Sequence, residues 1–308
     1  MALRGGLPTE AGFVGVEGPR LVEEALNSGC PIAAVLFSES GERHRTRLAP
    51  FLNREEMAFP VLRTTDRLFE GLADTEHPQG VAALVKPRTA ALDDLLIAPA
   101  STCAPLLVVL AGVQDPGNVG TILRTAAAFG ATGAITVASG QSGTSSPFSP
   151  KALRASAGAA LHLPILSGMS LAILLTQLRL SNVRTLASSV HEAAPRERSE
   201  QANAEARFSA SPATTQNAGE PSHSDTALPL LPWQVDWCQP IALLVGNEGA
   251  GLPEEIERSA DARIRIPMAS GVESLNAAAA AAVLFYEAAR QRTARPSPRE
   301  SGPTAKDW

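Results

Sequence analysis

The chain has 308 residues, a formal net charge of −5 and 4% aromatic residues. That length suits two domains with a core each, and the acidic balance excludes a nucleic-acid binder that works through overall charge. Cys30, Cys103 and Cys238 are scattered and lack CxxC spacing, which argues against a disulfide framework or a zinc site and fits a reducing, cytoplasmic setting. The opening Met1-Ala2-Leu3-Arg4-Gly5-Gly6 has no apolar secretion segment, and the longest strongly apolar stretch, Ala277–Tyr286, is too short to span a bilayer. No membrane association is expected.

Along the chain, Pro19–Ser28 reads as a helix with proline at its start and Gly29 as its stop. Ile32–Ser38, Ala58–Thr65 and Gly80–Lys86 read as strands, and Asp66–Ala73 as a helix capped by Asp66. Together they make a small α/β domain. Thr89–Ala104 runs through an Ala/Leu/Asp helix into a proline-punctuated linker. From Pro105 the alternation resumes, with strands expected at Leu106–Val113, Ala134–Ala138, Arg184–Val190, Ile241–Gly246 and Ala262–Met268. Helices are expected at Asn118–Phe129, Pro150–Ala160, Leu171–Leu180, Pro253–Ser259 and Ser274–Gln291. Apolar strands separated by helices imply a parallel sheet covered on both faces. His191–Pro232 has no period and almost no large apolar residue before Leu228, so it reads as a disordered insertion, with three arginines against six acids. The tail from Thr293 looks similar.

Charge is unevenly placed. Residues 1–99 carry 10 basic and 14 acidic groups, whereas residues 100–190 carry five basic groups (Arg124, Lys151, Arg154, Arg179, Arg184) against Asp115 alone. A local basic surface can hold RNA phosphates on an acidic chain, and five solvated side chains would look the same; charge leaves both open.

Three stretches carry chemistry. Gln114-Asp115-Pro116-Gly117-Asn118 is a turn between an apolar strand and a helix, where backbone N–H groups and a helix dipole converge. Val119, Ile122, Leu123 and Ala126 form the buried face of that helix, and Arg124 lies on the other face beside Thr121 and Thr125. Such an arginine is a candidate contact for an anion or RNA. Gly246-Asn247-Glu248-Gly249-Ala250-Gly251-Leu252-Pro253 follows a buried strand, but it does not keep the G-x-G-x-x-G order of a dinucleotide loop. A tight turn is an equal reading, although Glu248 among small residues needs a partner. Finally, Ser274 is positioned to N-cap a helix with six consecutive alanines, Ala277–Ala282, which is both a strong helix former and a thin face.

DPGNVGTILRTAAAFGA, LLVGNEGAGLPEE and IPMASGVESLNAAAAAAVLFYEAARQ, in that order, resemble the three signature motifs of the SpoU (TrmH) family of SPOUT RNA methyltransferases. SPKALRASAGAA resembles the family's segment between the first two. FVGVEGPRLVEEAL and TDRLFEGLADTEHPQGVAALV resemble the small L30e-like RNA-binding domain that many members carry in front. The resemblance implies an RNA substrate-binding domain at 1–98, a linker at 99–104, a methyltransferase domain at 105–292 containing the insertion at 191–232, and a flexible tail at 293–308. It implies an α/β fold whose C-terminal part is a parallel-sheet trefoil knot, with S-adenosyl-L-methionine held by Gly246, Ile266 and Leu275. It further implies a homodimer packed through knot helices, suited to the thin Ala277–Ala282 face, and methyl transfer to a ribose 2′-hydroxyl, of rRNA rather than tRNA given the domain in front.

By motif position, Arg124 is the catalytic arginine. Asn118, Glu248, Ser274 and Asn276 would orient it, the ribose or the cofactor, and Arg154 and Ser156 would contact RNA. No metal is implied. After Ser274-Leu275-Asn276 the family more often has Val-Ser than Ala-Ala, a departure that removes no assigned polar group. Two other readings compete: a catalytically silent RNA-binding or ribosome-assembly factor on the same scaffold, and a nicotinamide dehydrogenase. The first would be free to lose some of these polar residues, and the second lacks both its glycine fingerprint and a His or Tyr constellation.

Overall fold

The computed structural model describes residues 6–53, 59–97, 104–138, 143–188, 228–247, 251–269 and 274–294. Its N-terminal part runs β1 (Val14–Glu17), α1 (Pro19–Asn27), β2 (Ile32–Ser38), a 3-10 turn (Ser40–His44), α2 (Arg45–Leu52), β3 (Val61–Thr64), α3 (Asp66–Leu72) and β4 (Val81–Val85). These strands form a mixed sheet in the order β1-β4-β2-β3, with β2 and β3 parallel and the other pairs antiparallel. α3 is capped by Thr65, whose hydroxyl accepts from the Leu68 amide at 3.4 Å, and not by Asp66. The Asp66 carboxylate is engaged elsewhere, accepting from the amide and the hydroxyl of Ser40 at 3.0 and 2.8 Å.

Among the described residues, the helix expected within 89–104 is α4 (Leu92–Leu96). The chain before it is drawn onto the second sheet, where the Ala90 amide donates to the Ile165 carbonyl at 3.1 Å. The C-terminal part then runs β5 (Leu106–Ala111), α5 (Pro116–Ala128), β6 (Gly133–Ala138), α6 (Pro150–Ala155), β7 (Ile165–Ser170), α7 (Leu171–Leu180), β8 (Arg184–Ser188), β9 (Ile241–Val245), α8 (Glu254–Ser259), β10 (Ala262–Ile264) and α9 (Ala277–Ala294). All six strands are parallel, in the order β10-β8-β9-β5-β6-β7. β9 thus enters between β5 and β8, β10 is laid outside β8, and α9 returns to pack on α5. A C-terminus that doubles back across strands already placed is the path the expected knot needs.

The sheet is apolar on both faces because both are covered. Along β5, Leu106, Val108 and Leu110 join the core beneath α5, α6 and α9, whereas Leu107, Val109 and Ala111 join the core beneath α4 and α7. The first of these cores continues into the N-terminal domain through Val22, Leu26 and Val35. The two domains are therefore docked on shared apolar contacts.

Three boundaries differ from expectation for identifiable reasons. The helix expected at Pro150–Ala160 stops at Ala155, because Ala157 and Gly158 take φ of 49° and 86° before a 3-10 turn at Ala159–Leu161. A Cβ at Gly158 would lie 2.6 Å from the Glu24 Cβ of α1, so this reversal is a point of close approach between the domains. β10 ends at Ile264, well short of Met268, where its partner β8 ends at Ser188, and Pro267 has no N–H with which to extend the pairing. Most of the expected insertion lies outside the described residues, but its end does not: Leu230 bridges to Ile264, and its carbonyl accepts from the Arg265 amide at 2.9 Å. Likewise, Thr293 and Ala294 of the expected tail complete α9.

Candidate active site

The three motif turns meet at the C-terminal ends of β5 and β9 and the start of α9. Asp115 caps α5, its carboxylate accepting from the Asn118 amide at 3.2 Å, and Pro116 occupies the first helical position. Lys151 of α6 pairs with the same carboxylate at 2.5 Å. These contacts hold the Asp115 carboxyl below the ordinary carboxylate range; the hydrogen bond from Lys151 is the largest cause, and those from the Gly117 and Asn118 amides add to it. Beside this turn, the Thr144 hydroxyl accepts from the Gly112 amide at 2.9 Å and donates to the Leu110 carbonyl at 2.8 Å.

The second turn closes on itself through paired Asn247 and Gly251 backbone bonds of 2.9 and 3.0 Å. Gly246 has to be glycine here, since a Cβ would sit 2.4 Å from the Gly251 carbonyl carbon. The Asn247 side chain donates to the Gly112 carbonyl at 3.2 Å, tying the second turn to the first. Glu248 lies outside the described residues.

The third turn leads into α9, and its cap is Asn276, not Ser274. The Asn276 Oδ1 accepts from the Ala278 and Ala279 amides at 2.8 and 3.3 Å. Ser274 is exposed and lies two residues before the cap. Asn276 also donates from Nδ2 to the Asn118 Oδ1 at 3.1 Å, so one side chain ends α9 and joins it to the start of α5. Asparagine is suited to this double duty because its amide accepts at one atom and donates at the other.

Between the second and third turns lies a cavity of about 630 Å³, open mouth included, whose wall contains Gly246, Ile266, Leu275, Ser188, Met268 and Ala281. The three residues expected to hold the cofactor thus share one wall, with carbon side chains around backbone polar groups. An adenosine-bearing ligand fits such a surface, because a flat base needs apolar sides and a few backbone donors and acceptors at its edge. Among the described residues there is no cluster of three or more His, Cys, Asp or Glu able to hold a metal ion.

Arg124 is exposed on α5 and makes no hydrogen bond or ion pair among the described residues. It does not line the cavity. Ser156 is fully buried, its hydroxyl donating to the Leu153 carbonyl at 3.0 Å, so the expected RNA contact is not available to it in this arrangement. Arg154 is accessible but paired with Asp74 of the N-terminal domain at 2.9 Å. The alanine face of α9 also differs from expectation. Ala277, Ala278 and Ala281 are buried against the chain itself, and the exposed stripe is Ala279, Val283 and Tyr286.

The pattern of the SpoU rRNA Methylase family matches residues 105–286, and that of the MRM3-like substrate binding domain matches residues 9–83. The chain belongs to the SpoU rRNA methylase family. Among its relatives, a Synechocystis sp. protein described as an uncharacterized tRNA/rRNA methyltransferase is 31% identical, over 92% of this chain and 86% of that one. The Bacillus subtilis 23S rRNA (guanosine(2553)-2′-O)-methyltransferase RlmP is 27% identical, over 88% of this chain and 86% of its own. The crystal structure of an AdoMet-bound rRNA methyltransferase from Sinorhizobium meliloti superposes with a TM-score of 0.66 at 28% identity, covering 91% of this chain and 88% of that one. Membership in the SpoU family makes this an RNA methyltransferase with S-adenosylmethionine as methyl donor, on a two-domain α/β fold.

Proposed function

We propose that this SpoU protein methylates a ribose 2′-hydroxyl of ribosomal RNA, working as a homodimer. The observation that carries the reading is the meeting of the second and third motif turns at one cavity, with Asn276 joining the start of α9 to the start of α5 and so bringing the first turn beside it. The rRNA preference draws support from the substrate-binding domain in front and from the Bacillus subtilis relative, named for 23S rRNA 2′-O-methylation.

S-adenosylmethionine supplies an electrophilic methyl group on a sulfonium. The protein's part is to place the ribose oxygen in line with it and to favour loss of the hydroxyl proton. In this reading Gly246, Ile266 and Leu275 hold the cofactor through backbone groups and apolar contact. Asn118 and Asn276, locked to each other, fix the two helix starts beside it, with Ser274 as a further polar group at the same entrance; Glu248 keeps the polar role its motif position implies.

Arg124 is the residue assigned to the chemistry. A guanidinium hardly deprotonates, so its role is to stabilise the developing alkoxide. That role needs a site from which water is excluded, because charge interactions weaken severalfold in bulk water. Arg124 is exposed in the single chain, so something must cover it. The stripe Ala279, Val283 (43% exposed) and Tyr286 (58% exposed) offers a surface for a second protomer. Tyr286 stands edge-on to Phe129 at the end of α5, with centroids 5.9 Å apart, which extends that apolar surface from one helix to the other.

The test is tritiated S-adenosylmethionine incubated with tRNA, 16S-type and 23S-type rRNA transcripts, followed by nucleoside analysis. A 2′-O-methylnucleoside in the rRNA pool is expected. Cofactor binding without transfer to any RNA, or to intact ribosomal subunits, would favour the silent assembly factor. Arg124→Ala is expected to abolish transfer and leave S-adenosylmethionine affinity largely intact; equal loss of both would remove Arg124 from the chemistry.

A further inference from the structure

A cleft of about 1280 Å³, open mouth included, runs between the domains, away from the cofactor cavity, and its walls include Arg20, Arg47, His44, Glu17, Glu24 and Arg154. Its acids are already engaged. Glu23 is paired with Arg47, and Glu24 lies 3.0 Å from His162. Glu17 accepts from the Asp74 amide at 2.9 Å and from the Thr75 hydroxyl. Arg20, by contrast, is exposed and has no hydrogen bond or ion pair among the described residues. Arg154 is met by Asp74 at 2.9 Å, with side chains 38% and 26% exposed.

We propose that Asp74 stands in for an RNA phosphate, holding Arg154 in the free protein and yielding it to the substrate backbone when RNA enters this cleft. The proposal rests on the RNA-methyltransferase reading and adds to it a place where the two domains grip the RNA together. A carboxylate and a phosphate offer a guanidinium the same anionic oxygens, and either can satisfy its planar fork. An ion pair this accessible stabilises by less than about 1 kcal/mol, so a polyanion that releases counterions on binding can displace it.

Docking of the domains does not depend on the pair. The close approach of Gly158 to Glu24, the Glu24–His162 pair and the Cys30 thiol donating to the Leu161 carbonyl at 3.5 Å all remain when it opens. Glu17 meanwhile holds the Asp74 backbone amide and the Thr75 hydroxyl, so the exchange needs only rotation of the Asp74 side chain. Because α6 carries Arg154 near one end and Lys151, the partner of Asp115, near the other, RNA held by Arg154 is anchored on the helix that braces the first motif turn.

The experiment is fluorescence anisotropy with a labelled 23S-type rRNA transcript, without methyl donor, across a potassium chloride series, with thermal unfolding of every variant. Asp74→Asn should bind about two- to fivefold more tightly than wild type. Arg154→Gln should bind about fivefold more weakly, with a salt slope shallower by about 0.7–0.9. In the double variant the gain from Asp74→Asn should be largely lost. The proposal is overturned if Asp74→Asn binds no more tightly, if Arg154→Gln binds as well as wild type, or if the gain persists undiminished in the double variant. A merely structural pair would instead make Asp74→Asn both less stable and weaker in binding. Failure of the wild-type protein to bind the transcript at all would overturn the rRNA reading, and this proposal with it.

Discussion

Gly120 sits where α5 and α6 cross, and replacing it with alanine should separate them. A Cβ built there lies 2.3 Å from the Ala152 carbonyl oxygen, 2.7 Å from the Ala155 Cβ and 2.9 Å from the Ser156 amide nitrogen. Two of the three obstacles are backbone atoms, so no side-chain rotation relieves the clash. α6 has to move by about 1 Å to restore ordinary contact distances of about 3.5 Å. In a helix interior, alanine is about 1 kcal/mol better than glycine from propensity alone. Overpacking costs about 1–3 kcal/mol and more where the backbone must shift. The clash therefore outweighs the propensity gain, with an expected net loss of about 1–2 kcal/mol.

Gly71 supplies the control. It also lies in a helix, α3, but a Cβ there meets nothing within 4 Å. Gly71→Ala should be neutral or stabilising by up to about 1 kcal/mol. Thermal unfolding of the two variants beside wild type reads the sign directly, at about 2–4 °C per kcal/mol for a chain of this size. Gly120→Ala should also lower methyl transfer, because displacing α6 disturbs Lys151 and the Asp115 cap that set the first motif turn. If Gly120→Ala melts at or above wild type while Gly71→Ala behaves as expected, the α5–α6 contact is not tight and the reasoning fails.

Asn276 can be dissected by replacing one function at a time. Asn276→Asp keeps the cap of α9 but loses the donor to Asn118, so stability should hold while methyl transfer falls; Asn276→Ala should lose about 1 kcal/mol as well. Equal melting temperatures for the two variants would show that the cap is not what Asn276 contributes. Arg292 donates to the carbonyls of Trp237, Ala104 and Pro105 at 2.8, 2.6 and 3.4 Å, and to that of Gln239 at 3.2 Å, clamping the end of α9 onto the segments that enter β5 and β9. Arg292→Met should cost about 2–3 kcal/mol in denaturant unfolding, and a change within error would show these bonds to be replaceable by water. The lowered pKa of Asp115 means that its stabilising contacts are complete above the ordinary carboxylate pKa and are lost as pH falls through the lowered folded value. The first motif turn should therefore be insensitive to pH near neutrality and loosen only below about pH 4. Lys151→Met should move the Asp115 titration upward in a carboxylate NMR experiment, and an unmoved titration would assign the shift elsewhere.

The parts of this molecule legible in the sequence were those with a local cause. The strand-turn-helix at Asp115-Pro116 carries its own cap and first-turn proline, and α7 matches the expected Leu171–Leu180 residue for residue. Ile32–Ser38 likewise stands as read. What was missed has non-local causes. β1 is four residues long and owes its place to antiparallel pairing with β4. β7, Ile165–Ser170, is half exposed and contains Gly168 at φ 84°, so it shows little strand pattern of its own. Ser274 was read as the cap of α9, but the cap is Asn276, whose remaining donor goes to Asn118, 158 residues earlier in the chain. The burial of Ser156 follows from the close approach that Gly120 permits, a fact of helix crossing that no spacing rule contains.

α6 shows why catalytic and binding parts of this chain cannot be considered one at a time. It is six residues long, too short to be stable from its own hydrogen bonds. Ser149 caps it, its hydroxyl accepting from the Ala152 amide at 3.4 Å, and Ala152 and Leu153 bury its inner face against the core shared by both domains. Lys151 reaches the first motif turn, while Arg154 reaches the N-terminal domain. Such a helix has no position independent of its neighbours: its place is set jointly by Gly120 on one side and Gly158 on the other. A substitution at Gly158 should therefore disturb Asp115 as well as domain docking, although it touches neither the cofactor cavity nor Arg124.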